Sequence, residues 1–194
     1  DGFRDSVASR GLGDVYKRQP DDFTINNIDD EYILPDTGQT GDYLSTFGED
    51  SDYTINPPVL IDNGDGTITE TKSKLMWTKK DSFADLGKCL NWHDSKIYVE
   101  NLTTGGHTDW RMPEVWEYGE IYDNTESNVM AMDHDPEYPL ALSNLFADGA
   151  AYWYWSSEHG HCCARTAYFV TGLPFIRTLD KCTKGGVRAV RNVP

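Results

Sequence analysis

For residues 58–194 the sequence predicts an α+β fold: two helices, an antiparallel sheet and long irregular loops. Three observations carry this expectation. Two stretches repeat apolar residues at helical spacing. Short runs of β-branched and aromatic residues lie before and after them. A long run without either period, residues 124–150, separates the second helical stretch from the last strands.

Val59-Leu60-Ile61, then DNGDGTIT, then Leu75-Met76-Trp77 read as strand, turn and strand. The turn superficially resembles a calcium loop. With Gly66 as the sharp-turn glycine, however, Ile61 falls on the first ligand position and Lys72 on the twelfth, so the register fails. Asp81 or Ser82 can cap a helix over 82–93, where Phe83, Leu86 and Leu90 form one stripe and Gly87 weakens it. More helix or turn is expected up to Glu100. NLTTGGHTDW is a glycine-containing loop, and its Asn101-Leu102-Thr103 fits a glycosylation sequon. Pro113 and Glu114 start a second helix over 113–123, with Val115, Tyr118 and Tyr122 as its stripe and Ile121 beside it. Trp153-Tyr154-Trp155, Ala167-Tyr168-Phe169-Val170 and Phe175-Ile176-Arg177 are strand-like. Gly186-Val187-Arg188-Ala189-Val190-Arg191 alternates apolar and cationic residues, the pattern of a half-buried closing strand.

The chain has 194 residues and a formal net charge of -15. That charge excludes nonspecific nucleic-acid binding and a polybasic membrane-surface role, both of which need clustered cations. No apolar run reaches the ~20 residues that span a bilayer. The acidity is uneven. Residues 20–57 hold 10 acidic residues and no Lys or Arg, whereas residues 165–194 hold 6 basic residues and 1 acidic one. The first segment, punctuated by Gly and Pro, reads as an extended acidic arm or linker; Tyr32, Ile33, Leu34, Tyr43, Leu44, Phe47, Tyr53 and Ile55 could lie along the domain surface. Asp1 to Gln19 shows no periodicity and resembles translated sequencing-adapter read-through. It is expected to be disordered, and the natural N-terminus with any export signal is expected to be lost.

LPDTGQT, FGEDSDYTINPP, DNGDGTITE, LMWT, GGHTDWRMPEVWEYGEIYD, YWSS, AYFVTG and VRAVR together resemble the Lcl C-terminal-domain family, formerly a family of unknown function. The resemblance implies a C-type-lectin-like fold in bacterial envelope or secreted proteins. It points to an extracellular, cell-surface or periplasmic location. The best-understood relative is a domain of a collagen-like adhesin that binds sulfated glycosaminoglycans. The family usually carries Cys where this chain has Ala189, and that Cys would pair with Cys89; the resemblance therefore implies that Cys89 has lost its partner.

His159-Gly160-His161-Cys162-Cys163 is the densest chemical cluster. One reading is a disulfide between Cys182 and either Cys162 or Cys163, as an oxidising compartment allows. Another is a zinc or copper site using His159, His161, Cys162 and Cys163. Asp133, Asp135 and Glu137, three carboxylates in five residues, are candidate calcium ligands; the plainer reading is a solvated acidic loop. No catalytic arrangement or nucleotide-binding fingerprint is present. Arg165, Arg177, Lys181, Lys184, Arg188 and Arg191 are the candidate ligand-binding residues for an anionic partner. The expected function is non-enzymatic, adhesin-like recognition of a glycan or protein, with no cofactor required. The alternatives are a metal-binding or thiol-dependent enzyme resembling formylglycine-generating enzymes, and a structural module of an envelope protein.

Overall fold

The computed structural model describes residues 57–127 and 131–193. The run 1–19 and the arm 20–56 lie outside the described residues. Strands β1 (Leu60–Asp62), β2 (Thr67–Glu70) and β3 (Leu75–Thr78) form an antiparallel meander. Helices α1 (Ser82–Leu86) and α2 (Trp92–Glu100) follow, then a 3₁₀ helix over Val115–Ile121. After the long loop come β4 (Trp153–His159), β5 (Cys163–Tyr168), β6 (Pro174–Thr178), β7 (Gly185–Gly186) and β8 (Val190–Asn192). These strands make two sheets, ordered β1-β2-β3-β8 and β6-β5-β4-β7. The second sheet is mixed, because β7 runs parallel to β4. The class is α+β as expected, with two sheets in place of one and a form consistent with a lectin-like fold.

Local side-chain chemistry fixes these elements. In the first turn, Asp62 Oδ1 accepts from Gly64 N at 3.0 Å and Asp65 Oδ1 from Thr67 N at 3.0 Å. Asp62 also receives Lys79 Nζ at 2.6 Å, so both carboxylates hold the hairpin together. Glu70 is buried yet fully engaged: Oε1 accepts from Val59 N at 2.9 Å and Oε2 from Ser73 N at 2.6 Å. The single helix predicted over 82–93 is divided. Gly87 adopts φ 67°, a left-handed C-cap that residues with a Cβ rarely take, and it ends α1. Asn91 then caps α2 by accepting from Asp94 N at 2.9 Å.

The second sheet is covered on both faces. Directly paired residues project to the same side. Trp153 opposite Tyr168 and Trp155 opposite Thr166 mark one face; Tyr154 opposite Ala167 marks the other. On the first face, Trp155 Nε1 donates to Leu90 O at 3.0 Å and Trp153 Nε1 to Thr183 O at 2.8 Å. Gly185 lies flat against the Trp153 ring, where a Cβ would collide with the indole. On the second face, the Tyr154 ring stacks on Tyr118 of the 3₁₀ helix, with centroids 5.5 Å apart.

One stretch stitches the sheets together: 185–186 pairs with β4, and 190–192 pairs with β3. Val187 to Val190 are fully buried between them. The half-buried closing strand predicted here is therefore buried on both sides.

The expected pairing of Cys182 with Cys162 or Cys163 is corrected. Cys89 bonds Cys182, with Cα atoms 5.5 Å apart, and Cys162 bonds its neighbour Cys163. The reason is the path of the chain after β6. Leu179 N donates to Cys162 O at 3.1 Å, while Leu179 O accepts from Trp92 N at 3.0 Å. The chain thus leaves the start of β5 and crosses to the linker between α1 and α2, where Cys89 sits. Cys89 therefore has a partner, against the expectation that it had lost one.

The first bond closes a loop of sequence separation 93 and the second a separation of 1. Cys89→Ser with Cys182→Ser is expected to lower stability by about 2–5 kcal/mol, because the unfolded chain regains loop entropy. Cys162→Ser with Cys163→Ser should change it by under about 0.5 kcal/mol, as for an ordinary surface site. Urea midpoints of the two variants check both values, and peptide mapping without reductant checks the pairing.

Candidate functional site

The structure disperses the six candidate cations. Arg188 is fully buried and is no ligand contact. Its Nη1 donates to Thr78 O at 2.7 Å and Lys79 O at 2.8 Å; its Nη2 donates to Tyr154 Oη at 3.1 Å and faces Asp81 Oδ2 at 3.4 Å. Arg191 is also buried: its Nε donates to Asp109 Oδ1 at 2.7 Å, and this hydrogen bond holds the Asp109 carboxyl below the usual range. Lys184 pairs with Asp133 at 3.0 Å and lies over the Tyr152 ring. Arg177 rests on the Trp153 ring, 4.4 Å from its centroid. Arg165 and Lys181 are exposed, and neither has an ion pair among the described residues.

Register separates the two arginines of the β5–β6 ribbon. Arg165 pairs with Ile176, and Ala164 with Arg177. Neighbours along a strand alternate, so Arg165 and Arg177 project to opposite faces. Arg177 belongs to the Trp153 face. Arg165 and Ile176 belong to the face that carries Ala167 and Pro174.

The His-Cys cluster is not assembled as a metal centre. His159 lies against Trp92, with ring centroids 4.2 Å apart. Cys162 and Cys163 are bonded to each other, and no cysteine is free among the described residues. No group of three or more His, Cys, Asp or Glu side chains among the described residues could hold a metal ion. This covers His159 and His161 as well as Asp133, Asp135 and Glu137. Asp133 is held by the Tyr152 hydroxyl and Lys184, and Asp135 Oδ1 accepts from Glu137 N at 3.0 Å. The acidic loop is organised by its own turns and one lysine. The hydrogen bond from Tyr152, then that from Lys184, holds the Asp133 carboxyl below the usual range.

A cavity of about 430 Å³ lies between the 3₁₀ helix and the β5–β6 ribbon. Its helix wall is Trp116, Gly119 and Tyr122, and its ribbon wall is Ala167, Pro174 and Leu173. The helix wall follows from the helix type. At 3.0 residues per turn, positions i, i+3 and i+6 eclipse. Val115, Tyr118 and Ile121 therefore form the core-side row, with Val115 and Tyr118 also bordering the cavity, and Trp116, Gly119 and Tyr122 form the cavity row. Glu114, Glu117 and Glu120 form the third row. The α-helical stripe of Val115, Tyr118 and Tyr122 is corrected accordingly: Tyr122 leaves the core row and Ile121 takes its place. Trp116 is 49% exposed and Leu173 57%. Glu117 anchors the helix by receiving Arg111 on both oxygens, at 2.6 and 2.7 Å. That bidentate contact raises the Arg111 pKa. Reading Trp116, Gly119 and Tyr122 in steps of three would have exposed this row in the sequence.

The Lcl C-terminal domain family matches residues 66–191, from the first turn to β8. No curated protein matches the chain.

Two outcomes follow from the placements. Arg188→Met leaves Asp81 buried without its cation, and it is expected to cost about 3–5 kcal/mol in urea unfolding. Combining it with Asp81→Asn should cost less than the two single losses added together. Asp133 should titrate below the ordinary ~3.9 of Asp, and Tyr152→Phe should move it upward more than Lys184→Met does. A depressed folded value means that the tie to Lys184 is complete above about pH 4 and is lost as pH falls through the folded value. Carboxyl-carbon NMR titration measures both shifts.

Proposed function

The chain belongs to the Lcl C-terminal domain family, and from that premise we propose that residues 58–194 are a non-enzymatic, adhesin-like recognition domain of a bacterial surface or secreted protein. Its ligand is an anionic glycan or a protein with an acidic surface, met outside the cell or in the periplasm. No cofactor takes part. Residues 20–57 serve as the arm that leads into this domain.

One observation carries the ligand reading. In a chain of net charge -15, residues 165–194 gather 6 basic residues against 1 acidic one, and Arg165 and Lys181 remain exposed without ion pairs among the described residues. Exposed guanidinium and ammonium groups present donors to sulfate or carboxylate. Arg177 and Lys184 supply further positive potential from the rim, although each is already engaged, by Trp153 and Asp133 respectively. Arg188 and Arg191 contribute to the architecture alone.

A glycan array with sulfated and unsulfated members, read at two salt concentrations, tests the assignment. The expected result is saturable binding to sulfated glycans that fades with salt. Arg165→Gln and Lys181→Gln should each weaken it about five-fold, the ~1 kcal/mol of an exposed ion pair. Absence of binding to any glycan or matrix protein would leave a structural module as the better description.

A further inference from the structure

Strand β6 is the outer strand of the second sheet, and no strand among the described residues lies on its far side. The phase of its ladder determines which backbone groups are left there. Leu179 N donates to Cys162 O at 3.1 Å and Tyr168 N to Leu173 O at 3.2 Å, just beyond the two ends of the β5–β6 pairing. In an antiparallel ladder the bonded pairs recur at every second residue. Phe175 and Arg177 therefore direct their N–H and C=O groups to β5, opposite Thr166 and Ala164. Pro174, Ile176 and Thr178 direct theirs to the open side. Pro174 has no N–H to give, and Thr178 O already accepts from Lys181 N at 2.9 Å. The open edge thus offers Pro174 O, both groups of Ile176 and the Thr178 N–H.

This set is complementary to itself. Consider a two-fold axis at Ile176, which sets strand against strand antiparallel, 176 opposite 176 and 174 opposite 178. Each Ile176 then exchanges its N–H and C=O with the partner's Ile176. Each Pro174 O accepts from the partner's Thr178 N–H. The two groups that cannot serve, the absent Pro174 N–H and the occupied Thr178 carbonyl, fall opposite each other. Neighbouring registers lack this match. An axis at Phe175 leaves both Ile176 carbonyls facing the absent Pro174 N–H. An axis at Arg177 leaves both Ile176 amides facing the occupied Thr178 carbonyl.

The side chains permit the approach. Ile176 is 72% exposed, and Phe175 is exposed on the opposite face. Across the axis Ile176 meets the partner's Ile176, and the two Phe175 residues are diagonal neighbours ~7–8 Å apart, within reach of aromatic rings. Sheet edges that must stay single usually carry guarding charges. The only charge in Pro174–Thr178 is Arg177, and its guanidinium is drawn back over Trp153 of β4, two strands inward.

We infer that the chain pairs with a second copy of itself through β6, about an axis at Ile176, so that the two β6-β5-β4-β7 sheets become continuous. The strand has five residues, so the interface is at the small end of specific ones and the dimer is reversible. Arg165 lies opposite Ile176 in the ladder. The dimer therefore sets Arg165, Ile176, the partner's Ile176 and the partner's Arg165 in one row, with the two arginine backbones three strand spacings or ~14 Å apart. The inference rests on the backbone of β6 and not on the glycan reading.

Sedimentation equilibrium of the full chain from micromolar to millimolar concentration tests it, with no ligand present. The average mass is expected to rise reversibly toward twice the monomer's. Ile176→Lys and Ile176→Glu each put like charges opposite one another and should stay monomeric throughout, whereas an equimolar mixture of the two variants should dimerise. Both substitutions are at an exposed site, so urea midpoints should stay near the wild-type value. Amide exchange reads the register: the Ile176 and Thr178 amides should slow about ten-fold once roughly nine-tenths of the chain is paired, while the Phe175 amide, bonded to β5, should not respond to concentration. A wild-type chain that is monomeric at millimolar concentration overturns the inference. A dimer that either variant leaves intact also overturns it, as does a mixture of the variants that stays monomeric. Ile176 protection that is equal at every concentration overturns it as well, and assigns the edge to another segment of the same chain. Glycan binding is not read, so failure of that reading leaves the outcome unaffected.

Discussion

Asp81 and Arg188 meet where the two sheets, α1 and the long loop converge, and the fold is organised around their contact. Asp81 caps α1 by accepting from Ala84 N at 2.7 Å. Its other oxygen accepts from Ala151 N at 2.9 Å and from the Tyr154 hydroxyl at 2.6 Å. Arg188 meanwhile satisfies the carbonyls of Thr78 and Lys79, where β3 ends and the chain turns toward α1. Its guanidinium also lies over the Phe146 ring, 4.5 Å from the centroid. Burial of two charges costs several kcal/mol each before any compensation. Here the compensation is local and nearly complete: backbone groups that no ladder reaches become partners of the pair. Burial drives the Tyr154 pKa far upward, so its hydroxyl keeps the proton that it donates to Asp81. An apolar substitute could fill the volume, but it would take away the side-chain partners of the Ala84 and Ala151 amides and of the Thr78 carbonyl, and leave Lys79 O with Ala147 N as its donor.

This arrangement changes the meaning of the cationic C-terminal region. A local excess of positive charge suggests a surface for anions, yet part of it neutralises carboxylates within the domain. Arg188 answers Asp81, Arg191 answers Asp109, and Lys184 ties Asp133 to the strand-linking segment. Within residues 165–194, Arg165 and Lys181 are the exposed cations that have no ion pair among the described residues. Any electrostatic attraction from this region must work from that smaller set, in a chain whose total charge is negative.

Much of the fold was legible because strong periods and caps mark it. The paired indoles of Trp153 and Trp155 fixed a strand, and Asp81 fixed a helix start. The family match agrees with the resemblance carried by GGHTDWRMPEVWEYGEIYD and its companion motifs. The failures have physical causes. Thr67 to Glu70 looks in sequence like part of a turn, because its short TITE run holds one apolar residue and its carboxylate is buried by turn contacts. Gly87 in sequence marks only a weak point, whereas its left-handed backbone makes it an end. Alternation at 186–191 misled because a buried arginine looks, in sequence, like an exposed one. The cysteine pairing depended on the path of residues 179–182, which no local pattern encodes. Of the candidate site, the cations were legible as a group, but their partners were not. The groove was missed altogether, since its wall follows a period of three.

That period has a wider consequence. An α-helix over 115–121 would advance by 100° per residue and place Tyr118 and Tyr122 on one face. Tyr122 would then compete with Ile121 for the core, and Trp116 would be rotated away from Gly119. The tighter helix divides seven residues into three rows with separate tasks. One row packs on Tyr154 and Trp77 through Tyr118. One row carries Glu117, which fastens the helix to Arg111 and, through it, to Asn192 of β8. The last row is left free to line a cavity with aromatic rings. Runs of 3₁₀ helix this long have poorer hydrogen-bond geometry and are uncommon. In this one the Glu117 carboxylate receives two guanidinium donors and the Glu114 amide, which compensates for weak intrahelical bonding at the helix start. The groove is therefore a consequence of the same Arg111–Glu117 contact that joins the helix to the first sheet.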